Sequence, residues 1–138
     1  MEIFEPAWAE SWQQEINRSA AYRQAAAAWQ GSLALEMTGL GAGEPNGRRA
    51  VYVDLGEGSC RRARTASPAD LENADFVISA DREIWRKILQ GRAEPILWLM
   101  TGRLKLVRGE LSSLVPWVRA AKELVVAAGR VGGTFPGD

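Results

Sequence analysis

Near residue 30 the hydrophobic rhythm of this chain changes from helical to extended, so helix and strand must both be built and packed together. Upstream, apolar residues fall at Trp8, Trp12, Ile16 and Ala20, then at Tyr22, Ala25, Ala26 and Trp29, a stripe that drifts around one helix. Pro6 suits a first turn, Ala25 to Ala28 have the highest helix propensity, and Gly31 lies where a C-terminal cap belongs. The spacing therefore predicts one long helix over 6–29. Downstream, Leu33, Leu35 and Met37 alternate with small or polar residues, which is the period of a strand.

Further strands follow. After a Gly-rich loop over 39–47, Ala50 to Leu55 is rich in β-branched and aromatic side chains, and Gly56-Glu57-Gly58 turns it into a partner strand from Ser59 to Thr65. A fourth strand is predicted from Asp75 to Ala80, with Phe76, Ile78 and Ala80 on one face. Asp81 is a credible N-cap for a helix that carries Ile84, Trp85, Ile88 and Leu89 on one side and closes at Gly91. Pro95 starts a short helix through Met100, Gly102 ends it, and Arg103 to Val107 alternates as a fifth strand. A last helix is predicted from about Glu110 to Ala128, kinked or restarted at Pro116. The fold class is α+β: a single domain over 1–138, a five-stranded, mainly antiparallel sheet with its helices gathered on one face.

Composition narrows what such a domain does. The chain has no His, one Cys and six Trp. Without His there is no Ser-His-Asp or Cys-His chemistry and no His-ligated metal, and one Cys allows neither an internal disulfide nor a thiolate zinc cluster. No pair of carboxylates stands at a spacing that predicts joint acid/base work, so neither catalysis nor a metal or cofactor is expected. Seventeen basic and seventeen acidic residues cancel, which argues against nucleic acid as a partner. The longest apolar runs, such as Ile96 to Met100, fall far below the roughly 18 residues that span a bilayer, so no stable membrane insertion is expected. The acidic N-terminus lacks a secretory layout, which makes a cytoplasmic protein the default expectation.

Several stretches, in this order, resemble the sterol carrier protein family, the small domain of type-two sterol carriers and its bacterial relatives. They are Tyr22-Arg23 to Trp29-Gln30-Gly31, Val51 to Leu55, Phe76 to Ala80 followed by Trp85, Ile88-Leu89 and Gly91, and above all Met100-Thr101-Gly102-Arg103-Leu104-Lys105-Leu106. The turn Val107-Arg108-Gly109-Glu110 is one residue longer than the tightest family form. The resemblance implies an apolar tunnel between sheet and helices, holding a fatty acid, a fatty acyl-CoA or a sterol-like lipid. Carried onto this chain, the implied walls are Phe76, Ile78, Trp85, Ile88, Leu89, Leu97, Trp98, Leu104, Leu106, Leu114, Trp117 and Val118.

Each candidate has a plainer reading. Any one of Trp85, Trp98 and Trp117 is more often core than pocket; the resemblance favours a pocket for the three together. Trp8 and Trp12, spaced i,i+4, either pack the first helix or form the seam of a homodimer. Arg48 and Arg49 could meet Arg62 and Arg64 across the hairpin and hold a phosphate or carboxylate head group, against the plainer reading of a solvated hairpin end. Gly39 to Gly43 is not a nucleotide loop, because Pro45 and a strand follow where a helix should begin. Asn17-Arg18-Ser19 falls inside a predicted helix and is a chance sequon. Cys60 is either a small buried side chain or a thiol activated by Arg61 and Arg62. The leading expectation is non-catalytic binding or transfer of a hydrophobic molecule. The alternative is a dimeric interaction module with a vestigial cavity, and a third is an accessory to a separate lipid-thioester enzyme.

Overall fold

The computed structural model describes all 138 residues. Helices α1 (Pro6–Arg18) and α2 (Ala20–Ala25) lead into strands β1 (Gln30–Thr38), β2 (Arg49–Gly56) and β3 (Ser59–Thr65). Helix α3 (Pro68–Asn73), strand β4 (Phe76–Asp81) and helices α4 (Arg82–Leu89) and α5 (Pro95–Met100) follow. Strand β5 (Lys105–Arg108) and helix α6 (Val118–Val131) complete the chain.

The five strands form one sheet in the order β3-β2-β1-β4-β5. All neighbours are antiparallel except β1 and β4, which run parallel at the centre with Leu35 opposite Ile78. The sheet is thus mixed and mostly antiparallel. Alternation places Leu33, Leu35 and Met37 of β1, Val51, Val53 and Leu55 of β2, and Phe76, Ile78 and Ala80 of β4 in one core beneath α1, α2, α4, α5 and α6. That core reaches from Ile3 to Phe135, so both ends of the chain are packed into it.

Three elements depart from the sequence reading. The helix expected over 6–29 is broken at Ser19, which is extended (φ −84°, ψ 107°) and accepts the Tyr22 N–H on its Oγ at 3.0 Å. A serine that caps a new helix competes with continuation of the old one. The second departure is α3, which the sequence reading passes over. Ser67 and Asp70 form a reciprocal capping box at its start, with Pro68 in the first turn. This helix lies on the far face of the sheet, where Leu71 and Ala74 pack with Ala34, Tyr52 and Val77, so the helices do not all share one face. Finally, the segment expected to open the last helix at Glu110 instead makes two 3-10 turns, Leu111–Ser113 and Val115–Trp117, before α6 begins. Pro116 does restart the helix, since it lacks the N–H that an α-turn would need.

Candidate functional site

The space between sheet and helices holds a cavity of about 80 Å³. Leu33, Leu35 and Ile78 floor it from the sheet, and Trp85, Ile88 and Leu89 wall it from α4. Ile96 and Leu99 close it from α5, and Leu124 and Val125 from α6. A smaller void of about 30 Å³ adjoins it, lined by Tyr22, Trp29 and Trp117 among others. The two share Leu33, Ile96, Leu114, Ala121 and Leu124 as a common wall.

Local structure explains this arrangement. Asp81 caps α4, accepting the Ile84 N–H at 2.9 Å, and thereby aims Trp85 and Ile88 at the sheet. Trp85 donates its indole N–H to the Glu36 carbonyl of β1 at 2.9 Å, so its polar edge is satisfied while its rings stay in apolar contact. Trp12 does the same toward the Leu124 carbonyl at 3.0 Å, tying α1 to α6. Glu94 caps α5, accepting the N–H groups of Ile96 and Leu97 at 2.9 and 2.6 Å. Gly91 (φ 74°) and Gly102 (φ 79°) bracket that short helix in the left-handed region that favours glycine.

Of the residues expected at a lipid wall, Ile78, Trp85, Ile88, Leu89, Leu104 and Leu114 line the larger cavity, and Trp117 joins Leu114 at the smaller one. The other five lie elsewhere. Phe76 is buried but stacks on Trp29, with ring centroids 6.2 Å apart. Leu106 is half-buried beside the core, and Trp98 is half-buried beneath the Arg103 guanidinium at 5.1 Å. Leu97 and Val118 face outward, 52% and 38% exposed. On α5 it is Ile96 and Leu99 that point inward. Because all of Ile96 to Met100 is apolar, the sequence carried no phase to choose between faces. Trp12, Leu33, Leu35 and Leu124 were also missed as lining residues. The alternation of β1 already put the two leucines on one face.

The four arginines do not form one head-group cluster. The hairpin turns at Glu57 and Gly58, so Arg49 lies at the far end of β2 while Arg62 pairs opposite Asp54 and Arg64 opposite Tyr52. Arg49 falls on the core-side face with Val51, and Arg62 and Arg64 fall on the other. Three of them have local acids. Arg48 reaches Glu36 at 3.4 Å, Arg49 pairs with Glu2 at 3.0 Å and with Glu44, and Arg64 grips Asp70 at 2.6 Å. The Arg64 guanidinium holds the Asp70 carboxyl below the usual carboxylate range. Arg62 is exposed on the strand.

Trp8 and Trp12 are 0% and 2% exposed, with ring centroids 5.2 Å apart, so they pack the first helix and form no surface seam. One buried polar atom lacks a partner: the Tyr22 hydroxyl, whose ionisation burial strongly disfavours. No helix is long and apolar enough to cross a membrane.

A mixed five-stranded sheet with an apolar void under its covering helices defines a class of small α+β domains. Within that class, the sequence profile of the SCP-2 sterol transfer family matches residues 10–112, and the chain belongs to that family. Its fold is that of a crystal structure of sterol carrier protein 2, at 43% identity over 95% of this chain and 100% of that one, with a TM-score of 0.84. A conserved hypothetical protein of Thermus thermophilus, itself described as a sterol carrier candidate, is 41% identical over 96% of this chain and 92% of its own, with a TM-score of 0.85. A ubiquinone synthesis protein, UbiJ-SCP2, shares the fold alone, at 13% identity over 91% of this chain and 88% of its own, with a TM-score of 0.53. A search of curated protein sequences finds no match.

Proposed function

We propose that the chain is a non-catalytic carrier that takes one hydrophobic molecule, a fatty acid, fatty acyl-CoA or sterol-like lipid, between the sheet and helices α4, α5 and α6. The observation that carries this reading is the position of the apolar cavity, enclosed by those elements and lined almost wholly by aliphatic and aromatic carbon. Membership of the SCP-2 sterol transfer family supports it.

At about 80 Å³ the cavity is smaller than sites for small molecules, which usually measure about 300–1,000 Å³. A ligand must therefore displace part of the wall, and α5 is the part most easily moved. It is six residues long, sits between two left-handed glycines, and is held inward by Ile96 and Leu99. Exposing those two side chains costs roughly 3–6 kcal/mol. Burying about 14 methylenes of a C16 chain gains at most about 11 kcal/mol before ordering costs. The difference, at most about 5–8 kcal/mol, is what remains to meet the cost of ordering a ligand of that length.

Native mass spectrometry and Trp quenching against a panel of fatty acids, acyl-CoAs and sterols test the reading. One-to-one binding with quenching is the expected result. Uniform failure to bind, with the cavity still closed at saturating lipid, overturns it. The dimeric-module alternative needed Trp8 and Trp12 at an interface, and both are buried.

A further inference from the structure

The Tyr22 hydroxyl is the one buried side-chain polar atom with no protein group within hydrogen-bond reach. The residue is 1% exposed on α2, and its backbone N–H is held by Ser19 Oγ at 3.0 Å. Among the titratable groups, Cys60 is the one that acts on it, but that thiol donates to the Arg62 carbonyl at 3.3 Å instead. Burial keeps the phenol protonated, so it has a hydrogen to donate and nothing to donate it to. A buried hydroxyl left in that state destabilises the free protein, which calls for a compensating role.

The same side chain lines the smaller void of about 30 Å³. That is room for about one water, yet a buried water needs several polar partners. The lining offers no carboxylate, amide or hydroxyl besides Tyr22, and the indoles of Trp29 and Trp117 can only donate. The void adjoins the larger cavity across Leu33, Ile96, Leu114, Ala121 and Leu124. A chain that fills the larger space and crosses this wall therefore ends against Tyr22.

We propose that Tyr22 donates a hydrogen bond to a neutral oxygen, hydroxyl or carbonyl, at the inner end of the bound hydrophobic molecule, and so selects lipids that carry one. This rests on the carrier reading, because the acceptor arrives with the ligand. A neutral group is required, since no Arg or Lys lines either space and an ionised carboxylate there would be buried unpaired. A fatty acid must turn its carboxylate to the opposite end, which leaves the phenol unmet. Discrimination comes from the unpaired hydroxyl itself: a ligand without the oxygen fills the space but leaves the donor unsatisfied.

Titration of wild type and Tyr22→Phe with undecan-2-one, 1-chloroundecane and undecanoate, followed by Trp fluorescence, tests this. Trp29 and Trp117 stand at the void and report its filling. Tyr22→Phe should weaken the ketone about fivefold and leave the chloride and the carboxylate unchanged. The carbonyl stretch of bound undecan-2-one should lie at lower frequency in wild type than in Tyr22→Phe. Without ligand, the urea midpoint of Tyr22→Phe should equal or exceed that of wild type, because the change removes a hydroxyl that has no partner. Equal losses for ketone and chloride, no loss for the ketone, or a larger loss for undecanoate each overturns the proposal and leaves the carrier reading standing. A lower midpoint for ligand-free Tyr22→Phe also overturns it, since the hydroxyl would then have a partner in the free protein. Binding of none of the three by wild type overturns both.

Discussion

Cys60 shows how burial decides the chemistry of a side chain whose neighbours suggest something else. Flanked by Arg61 and Arg62, it could have been an activated thiol. Yet it is 2% exposed on β3, and Arg61 turns away toward Asp54 at 3.4 Å. Burial, with a smaller contribution from Asp54, pushes the thiol up to about 12 from an ordinary 9.0. Because the folded value is the higher one, the folded state keeps its proton longer than the unfolded chain does. The associated stability is complete below pH 9.0 and is lost as pH rises toward about 12. Two results are expected: iodoacetamide at about pH 8 labels native protein far more slowly than protein in guanidinium, and urea midpoints fall once pH passes 9.0. Fast labelling of the native protein would show that the thiolate is accessible after all.

Among the elements, the turn entering the last part of the chain is tightly constrained. Gly109 has φ 100°, and a Cβ there would stand 2.4 Å from Phe76 Cδ1 and 2.9 Å from the Asp75 carbonyl oxygen. Gly102 shares the left-handed conformation (φ 79°) but meets nothing within 4 Å. Gly109→Ala should therefore cost about 2–4 kcal/mol in urea unfolding, strain plus clash, while Gly102→Ala costs only the strain, about 1 kcal/mol. Equal effects would mean that the clash relaxes away. What could be read from sequence at this scale follows from how local each signal is. Alternation in β1, β2 and β4, the Asp81 cap and Pro95 announced their elements, because propensity, period and capping agreed. The Ser19 break was hidden inside an otherwise unbroken helical stripe. Helix α3 was overlooked although its capping box is written as Ser67-Pro68-Ala69-Asp70. The inward face of α5 was not legible at all, since a wholly apolar run has no polar side to set its phase.

Features of the whole molecule depend on residues far apart in sequence, and these were the least visible. The parallel pairing of β1 with β4 joins residues 43 apart, as at Leu35 and Ile78, and no local pattern specifies it. The cavity is likewise a long-range product of several elements, and Ala121 lies where its two voids meet. If the voids serve to admit a ligand, the small side chain at this position sacrifices packing for capacity. Ala121→Leu should then raise unfolding stability by about 1 kcal/mol by filling the shared wall. The same change should weaken binding of a C16 fatty acid by about tenfold or more, because a ligand that joins the two voids must displace the added carbons. Chemical denaturation and fatty-acid titration of one variant read both quantities. Stability and affinity moving in opposite directions marks the space as functional. Both falling together would mean that the void is incidental and the core simply overpacked.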